Sequence, residues 1–270
     1  MAYDRGPAGQ THRGAFFRCF LASFLLVLVA AGACVYFNAV DRQLFETALL
    51  ENVDYAALGM DADSMRSFAE ETILFLTDAQ DSWEPSITVA GFPASRFIPQ
   101  NFRDHMVTVK GWVSAASTLL VCGTVAAVAL LAWALATSGR RGGFSTQGYY
   151  AGTILPLLLI AGVGLWASLD FGGMWEMLHR TLIPDGIFPA DELVMQLFPE
   201  TLFSAYLPPV LLMLVLMLAA VLVLPLILSP VSARIAAQIT ARQLHGLGVN
   251  LNLAPVLDVN SNARNPVIGV

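Results

Sequence analysis

The 270-residue chain is 56% hydrophobic and only 13% charged, with a net charge of −6 and a mean hydropathy of +0.65. Soluble domains carry about 25% charged residues, so this composition excludes an ordinary soluble domain. The acidic balance excludes nucleic acid as a partner.

Arg5, Arg13 and Arg18 lead into a first apolar run at 16–37. It is longer than the roughly 7–15 apolar residues of a secretory leader and reads as an anchor, with Arg18 near its edge, where a long side chain snorkels to the interface. Three further runs, 112–136, 149–168 and 206–228, each approximate the ~20 residues that cross a ~30 Å hydrocarbon core. Arg140 and Arg141 lie between the second and third runs. Positive charge stays in the cytoplasm, so the N-terminus and the Arg140 loop are expected inside. Residues 38–111 and 169–205 are then outside.

The first outer segment is acidic. Leu44, Ala48 and Leu49 extend the first helix outward, and a break follows at Leu58, Gly59, Met60 and Asp61. Asp63 or Ser64 is expected to cap a helix over 65–76, whose apolar residues Met65, Phe68, Ala69, Ile73 and Leu76 share a face. A turn-rich stretch with Pro85, Gly91 and Pro93 predicts a short hairpin around 86–90, and a helix resumes at 97–110 and runs into the second span. At about seventy residues this segment is too small for a strong core of its own, so it must pack on the membrane or on the second outer segment. That second segment is crowded with Trp175, Phe188, Phe198, Phe203 and aliphatic residues. It reads either as an interfacial aromatic belt or as the lining of a lipid-accessible cleft.

His105 and His179 sit just beyond the outer ends of the spans. Imidazole takes and returns a proton near neutral pH, so two on one membrane face are candidates for acid–base chemistry on lipid. The alternative is that each is a hydrogen-bonded interfacial residue. Glu176 and His179, at i and i+3 on a helix, could with His105 ligate a metal, but no metal or other cofactor is expected. Ser95, Ser168 and Ser204 lack a Gly-x-Ser-x-Gly elbow. Cys19, Cys34 and Cys122 all fall within spans and read as buried small hydrophobes.

Several segments together resemble the bacterial lipoprotein intramolecular transacylase family. They are Leu58, Gly59 and Met60 before the 64–76 helix; His105, Met106, Val109 and Lys110 opening the second span; Leu169, Asp170 and Phe171; His179; and Leu197, Phe198, Pro199 and Glu200 before the fourth span. The likeness covers about residues 15–228. It implies a mainly α fold, a four-helix transmembrane bundle with a small extracytoplasmic domain in a bacterial cell membrane. It also implies transfer of the sn-2 acyl chain of a diacylglyceryl lipoprotein to the amine of its N-terminal cysteine, with His105 and His179 as catalytic residues and lipoprotein and membrane lipid as partners. Thr108 stands where the family usually has aspartate, and Leu182 and Ile183 where it has aromatics. Asp104 is the neighbouring carboxylate that could serve instead.

After residue 231 the sequence changes character. Residues 232–247 read as a soluble amphipathic helix and 249–258 as a buried strand ending at Asp258. Residues 233–270 resemble an early piece of a glycoside hydrolase family 3 barrel, most like the β-N-acetylglucosaminidase branch. The resemblance implies a truncated (β/α)-barrel fragment in which Asp258 would contact sugar if the barrel were complete. A hydrolase joined to a membrane anchor and a non-enzymatic four-span protein are the two alternatives to the transacylase.

Overall fold

The computed structural model describes residues 7–137, 144–183, 188–189 and 191–246. Four of its helices are long and apolar enough to cross a membrane, and with a small domain at one end they make a mainly α bundle. They are α1 (Pro7–Ala39), α4 (Gln100–Ala136), α5 (Thr146–Leu169) and α9 (Leu207–Gly246). Leu119, Val121, Leu158, Leu165 and Leu226 are among the large apolar side chains these helices leave exposed. Such faces are stable only against lipid.

Helix α1 is central and packs against α4, α5 and α9. Lipid offers helices no hydrophobic reason to associate, so close packing of small residues must supply it. Ala15, Cys19, Ala22, Ala30, Ala33 and Cys34 are buried along α1. Gly148 and Gly152 of α5 lie directly on the backbone of Phe16 and Phe20, where any side chain would collide. Polar groups reinforce this end of the bundle. Ser23 donates to the Tyr149 carbonyl at 2.6 Å, and the Tyr149 hydroxyl donates to the Val221 carbonyl at 2.8 Å. The residue four beyond Val221 is Pro225, which has no N–H to offer, so Tyr149 fills the place of the missing helical hydrogen bond. Arg18 does not simply reach for water: it donates to Thr137 Oγ1 at 3.3 Å and lies over the Trp133 ring. Cys122, expected to be buried, is exposed on the lipid face, unlike Cys19 and Cys34.

At the other end α1 stops, and the first outer helix is a separate element. The Asp41 carboxylate accepts from the Leu44 N–H at 2.8 Å, capping α2 (Arg42–Asn52) and breaking the expected continuous rod. The next cap is also two or three residues earlier than expected. Asp61, rather than Asp63 or Ser64, accepts from both the Ser64 N–H and hydroxyl and starts α3 (Ala62–Leu76). The hairpin pairs β1 (Thr88–Val89) with β2 (Phe92–Pro93). Its two turn residues, Ala90 and Gly91, have φ of 49° and 80°, the left-handed pair that tight hairpins favour.

The segment between α5 and α9 is helical: α6 (Phe171–Leu182), α7 (Leu193–Leu197) and α8 (Glu200–Ser204). It completes the small domain, as the size of the first segment required. Val194, Leu197 and Leu202 are buried with Phe45, Met65, Phe68, Trp83 and Phe102 in one core. Phe198 sits among the rings, with centroids 5.6 Å from Phe68, 5.7 Å from Phe102 and 6.2 Å from Trp83. Lys110 fastens this domain to α4 through Asp78 Oδ1 at 2.8 Å and the Gln80 carbonyl at 2.7 Å.

Helix α9 runs without interruption from Leu207 through residue 231 to Gly246, so the expected boundary at 231/232 is not marked by a break in the helix. Residues 247–270, which include the expected strand and Asp258, lie outside the described residues.

Candidate functional site

His105 is on the second turn of α4, in the charged stretch ahead of the apolar part of the helix. Its ring is half-buried between Phe102, at 5.6 Å, and Phe188, at 5.4 Å. The Nδ1 atom is buried and has no hydrogen-bond partner among the described residues. Neither polar neighbour in sequence reaches it. Asp104 accepts from Gln100 Nε2 at 2.9 Å, and the exposed Thr108 hydroxyl turns back to the Asp104 carbonyl at 3.2 Å. Asp104 therefore does not act as a substitute partner for His105.

His179 is placed by α6. Asp170 ends α5 and caps α6, accepting from the Gly173 N–H at 3.0 Å. A Cβ at Gly173 would displace the Asp170 carboxylate that caps the helix, and one at Gly172 would meet the Glu200 carboxylate at 2.9 Å. Two carboxylates thus converge on the positive end of this helix, which favours negative charge. Along one face of α6, Phe171 stacks on Trp175 at 5.7 Å, and Trp175 packs on His179 at 4.5 Å. Trp175 also stacks on Phe203 at 4.4 Å, which joins α6 to α8. The His179 Nδ1 lies 3.0 Å from the Trp175 carbonyl. A carbonyl only accepts, so Nδ1 carries the hydrogen and the free lone pair of the neutral ring is on Nε2.

The fold brings the two imidazoles together, with centroids 6.2 Å apart and planes 23° from parallel. Burial, together with the smaller effect of the nearby His179, pushes the His105 pKa down to about 4. Near neutral pH His105 is therefore an uncharged ring with one N–H, able to donate a hydrogen bond without bringing a positive charge.

The other candidate chemistries find less support in the geometry. Among the described residues no group of three His, Cys, Asp or Glu side chains is placed to hold a metal ion. Glu176, the third ligand considered, instead pairs with Arg180 at 2.6 Å. Ser168 donates to the Gly164 carbonyl and Ser204 to the Thr201 carbonyl.

Sequence reading singled out both histidines but not what positions them. The signal for Trp175 was its i−4 spacing from His179 on an apolar stripe. Glu200 entered only as part of the resemblance at residues 197–200, and spacing could not show its contact with Gly172, 28 residues away.

No protein-family model matches the chain, and no curated protein matches it by sequence. Among solved structures, the fold is similar to that of the membrane integral lipoprotein intramolecular transacylase Lit from Bacillus cereus, with a TM-score of 0.61 at 16% sequence identity. The similarity covers 82% of this chain and 97% of that one. At this identity the likeness establishes a shared fold: a four-span helical membrane bundle carrying a small domain at one end.

Proposed function

We propose that this chain is a membrane acyltransferase that moves the sn-2 acyl chain of a diacylglyceryl lipoprotein onto the amine of its N-terminal cysteine, on the non-cytoplasmic face. The observation that carries the proposal is the pairing of His105 and His179, two imidazoles in different electrostatic environments at the membrane end of a fold shared with a lipoprotein transacylase.

Their environments suggest a division of labour. His179, with Nδ1–H held by a backbone carbonyl, presents Nε2 as the base that takes a proton from the attacking amine. The amine nitrogen bonds to the ester carbonyl carbon. His105, uncharged, donates its N–H to the carbonyl oxygen as negative charge develops there. The bond from carbon to the glyceryl oxygen then breaks, and the proton held by His179 passes to that oxygen. The products are an N-acyl cysteine and a free glyceryl hydroxyl, with every proton accounted for. Amine and ester belong to one molecule, so orientation and proton transfer supply the rate enhancement, and no external nucleophile enters.

The test is expression of the full chain in a bacterium whose lipoproteins keep a free α-amine, followed by mass spectrometry of an N-terminal lipopeptide. Transfer of one acyl chain from glycerol to nitrogen by the wild type, reduced by about 10²–10⁴-fold in His105→Ala and in His179→Ala, is the expected result. A correctly inserted protein that leaves the amine free would instead support a non-enzymatic four-span protein. For residues 233–270 the glycoside hydrolase family 3 resemblance rests on sequence alone, and no hydrolase activity is assigned to them.

A further inference from the structure

Helices α5 and α9 leave a lipid-facing cleft of about 620 Å³ between them, over the stretch from Ile154 to Ser168. Its α5 wall is one helical stripe that includes Ile154, Leu158, Gly164 and Ser168, and its α9 wall includes Leu211 and Leu218. From Ile154 to Ser168 the stripe is about 21 Å long at 1.5 Å per residue, somewhat more than one leaflet of a ~30 Å core. The volume falls within the roughly 300–1,000 Å³ range of ligand sites. At Gly164 the absent side chain leaves room: a Cβ there would make ordinary contact with Leu211 Cδ2, at 3.8 Å across the cleft. Ser168, at the end nearest the histidines, turns its hydroxyl to its own helix at the Gly164 carbonyl, so the walls are apolar throughout.

The two helices that line the cleft lead directly into the residues around His179. Helix α5 passes through Asp170 into α6 and so to Trp175, and α9 is preceded by α8, which carries Phe203. The rings of Trp175 and Phe203 stack on each other, and the ring of Trp175 packs on His179. The end of the cleft at Ser168 and Leu211 is therefore only a few residues of chain from the aromatic stack that packs on His179.

We propose that the α5–α9 cleft is the acyl-chain site, holding the distal part of a long acyl chain of the diacylglyceryl substrate while its ester lies at the histidines. This rests on the transacylase reading for the identity of the lipid. The contact with Phe171, Trp175 and Phe203 takes the proximal methylenes, and only a chain long enough to pass them enters the cleft. The site thus selects for long chains, and a short acyl chain ends on the aromatic rings.

The test uses the full chain in vesicles of phosphatidylglycerol and phosphatidylcholine, with a diacylglyceryl-cysteine peptide carrying a diazirine near the end of its palmitoyl sn-2 chain. Photolysis should place label on residues around Gly164, Ser168 and Leu211, and unlabelled peptide should compete it away where added phosphatidylcholine does not. Label spread equally over the outward face of α4, at Leu119 and Val125, would overturn the proposal, as would cleft label displaced equally by phosphatidylcholine. A second arm fills the cleft with Gly164→Trp, using Leu159→Trp on the same helix but outside the cleft as control. Transfer of palmitoyl relative to octanoyl chains should fall at least about tenfold in the first variant and stay unchanged in the control. Acyl transfer measured in the same vesicles separates the two claims. Specific cleft labelling without N-acyl product upholds the lipid site and removes the enzymatic reading, and N-acyl product without cleft labelling does the reverse.

Discussion

The rings of His105 and His179 face each other at 6.2 Å with no hydrogen bond between them among the described contacts. At that distance a proton on one imidazole raises the cost of a proton on the other, yet burial is the larger reason that His105 resists protonation. The two causes can be separated. A His105 imidazole resonance should titrate near pH 4, and in His179→Gln its midpoint should rise while staying below 6.5, because burial remains. A midpoint that returned fully to 6.5 would show that the neighbouring ring was the main cause.

The same shift fixes how stability depends on pH. His105 binds a proton less readily in the folded protein than in an unfolded chain, so its contribution is present above about 6.5 and is lost as pH falls toward 4. Thermal unfolding in detergent should therefore show a lower midpoint on acidification through that window. The dependence should be weaker in His105→Phe, which keeps the ring contacts with Phe102 and Phe188 but cannot be charged.

Contact between α1 and α5 makes a sharp positional prediction. Gly152→Ala must push apart the backbones it now lets touch, at a cost of about 1–3 kcal/mol. Gly162→Ala on the same helix meets nothing within 4 Å and should be neutral. Unfolding midpoints of the two variants side by side check this.

Tyr149 offers a double-mutant test. Tyr149→Phe leaves the Val221 carbonyl without its donor, at a cost of about 0.6–1.7 kcal/mol by analogy with other interhelical hydrogen bonds in membranes. Pro225→Ala restores a helical N–H to the same carbonyl. In that background Tyr149→Phe should cost measurably less, and purely additive losses would show that the two groups do not share an acceptor.

In the outer domain the Trp83 indole donates to Thr72 Oγ1 at 3.1 Å inside the core. Thr72→Val keeps the shape but strands a buried N–H, which costs about 1–3 kcal/mol. Denaturant unfolding of Thr72→Val and Thr72→Ser should separate the hydrogen bond from the methyl group, with Ser retaining the donor's partner.

Much of this was legible in the sequence because hydrocarbon is a demanding solvent. Four apolar runs could only be spans, and a seventy-residue outer segment had to borrow a core from elsewhere. It does so from Val194, Leu197 and Leu202. What failed was local. Asp41 and Asp61 start helices that apolar spacing alone began elsewhere, because a single carboxylate accepting three residues ahead overrides a weak periodic signal. The segment at 169–205 gave no helix boundaries, since its helices are short and separated by prolines. The histidines stood out by residue type and by their position at span ends. Their approach to each other depends on contacts among Phe102, Phe188, Trp175 and Phe203, which spacing cannot show.

Among the described residues, the side-chain hydrogen bonds between spans gather at the end of the bundle away from the histidines. There Ser23, Tyr149, Tyr150, Arg18 and Cys19 each reach a neighbouring helix or the residues flanking it. At the histidine end the corresponding tie is Asn38 to the Met213 sulfur, at 3.4 Å. Polar ties thus fasten the spans to one another at one end of the bundle, while at the histidine end the small domain's apolar core, which includes Phe102 and Met106 of α4, does the joining.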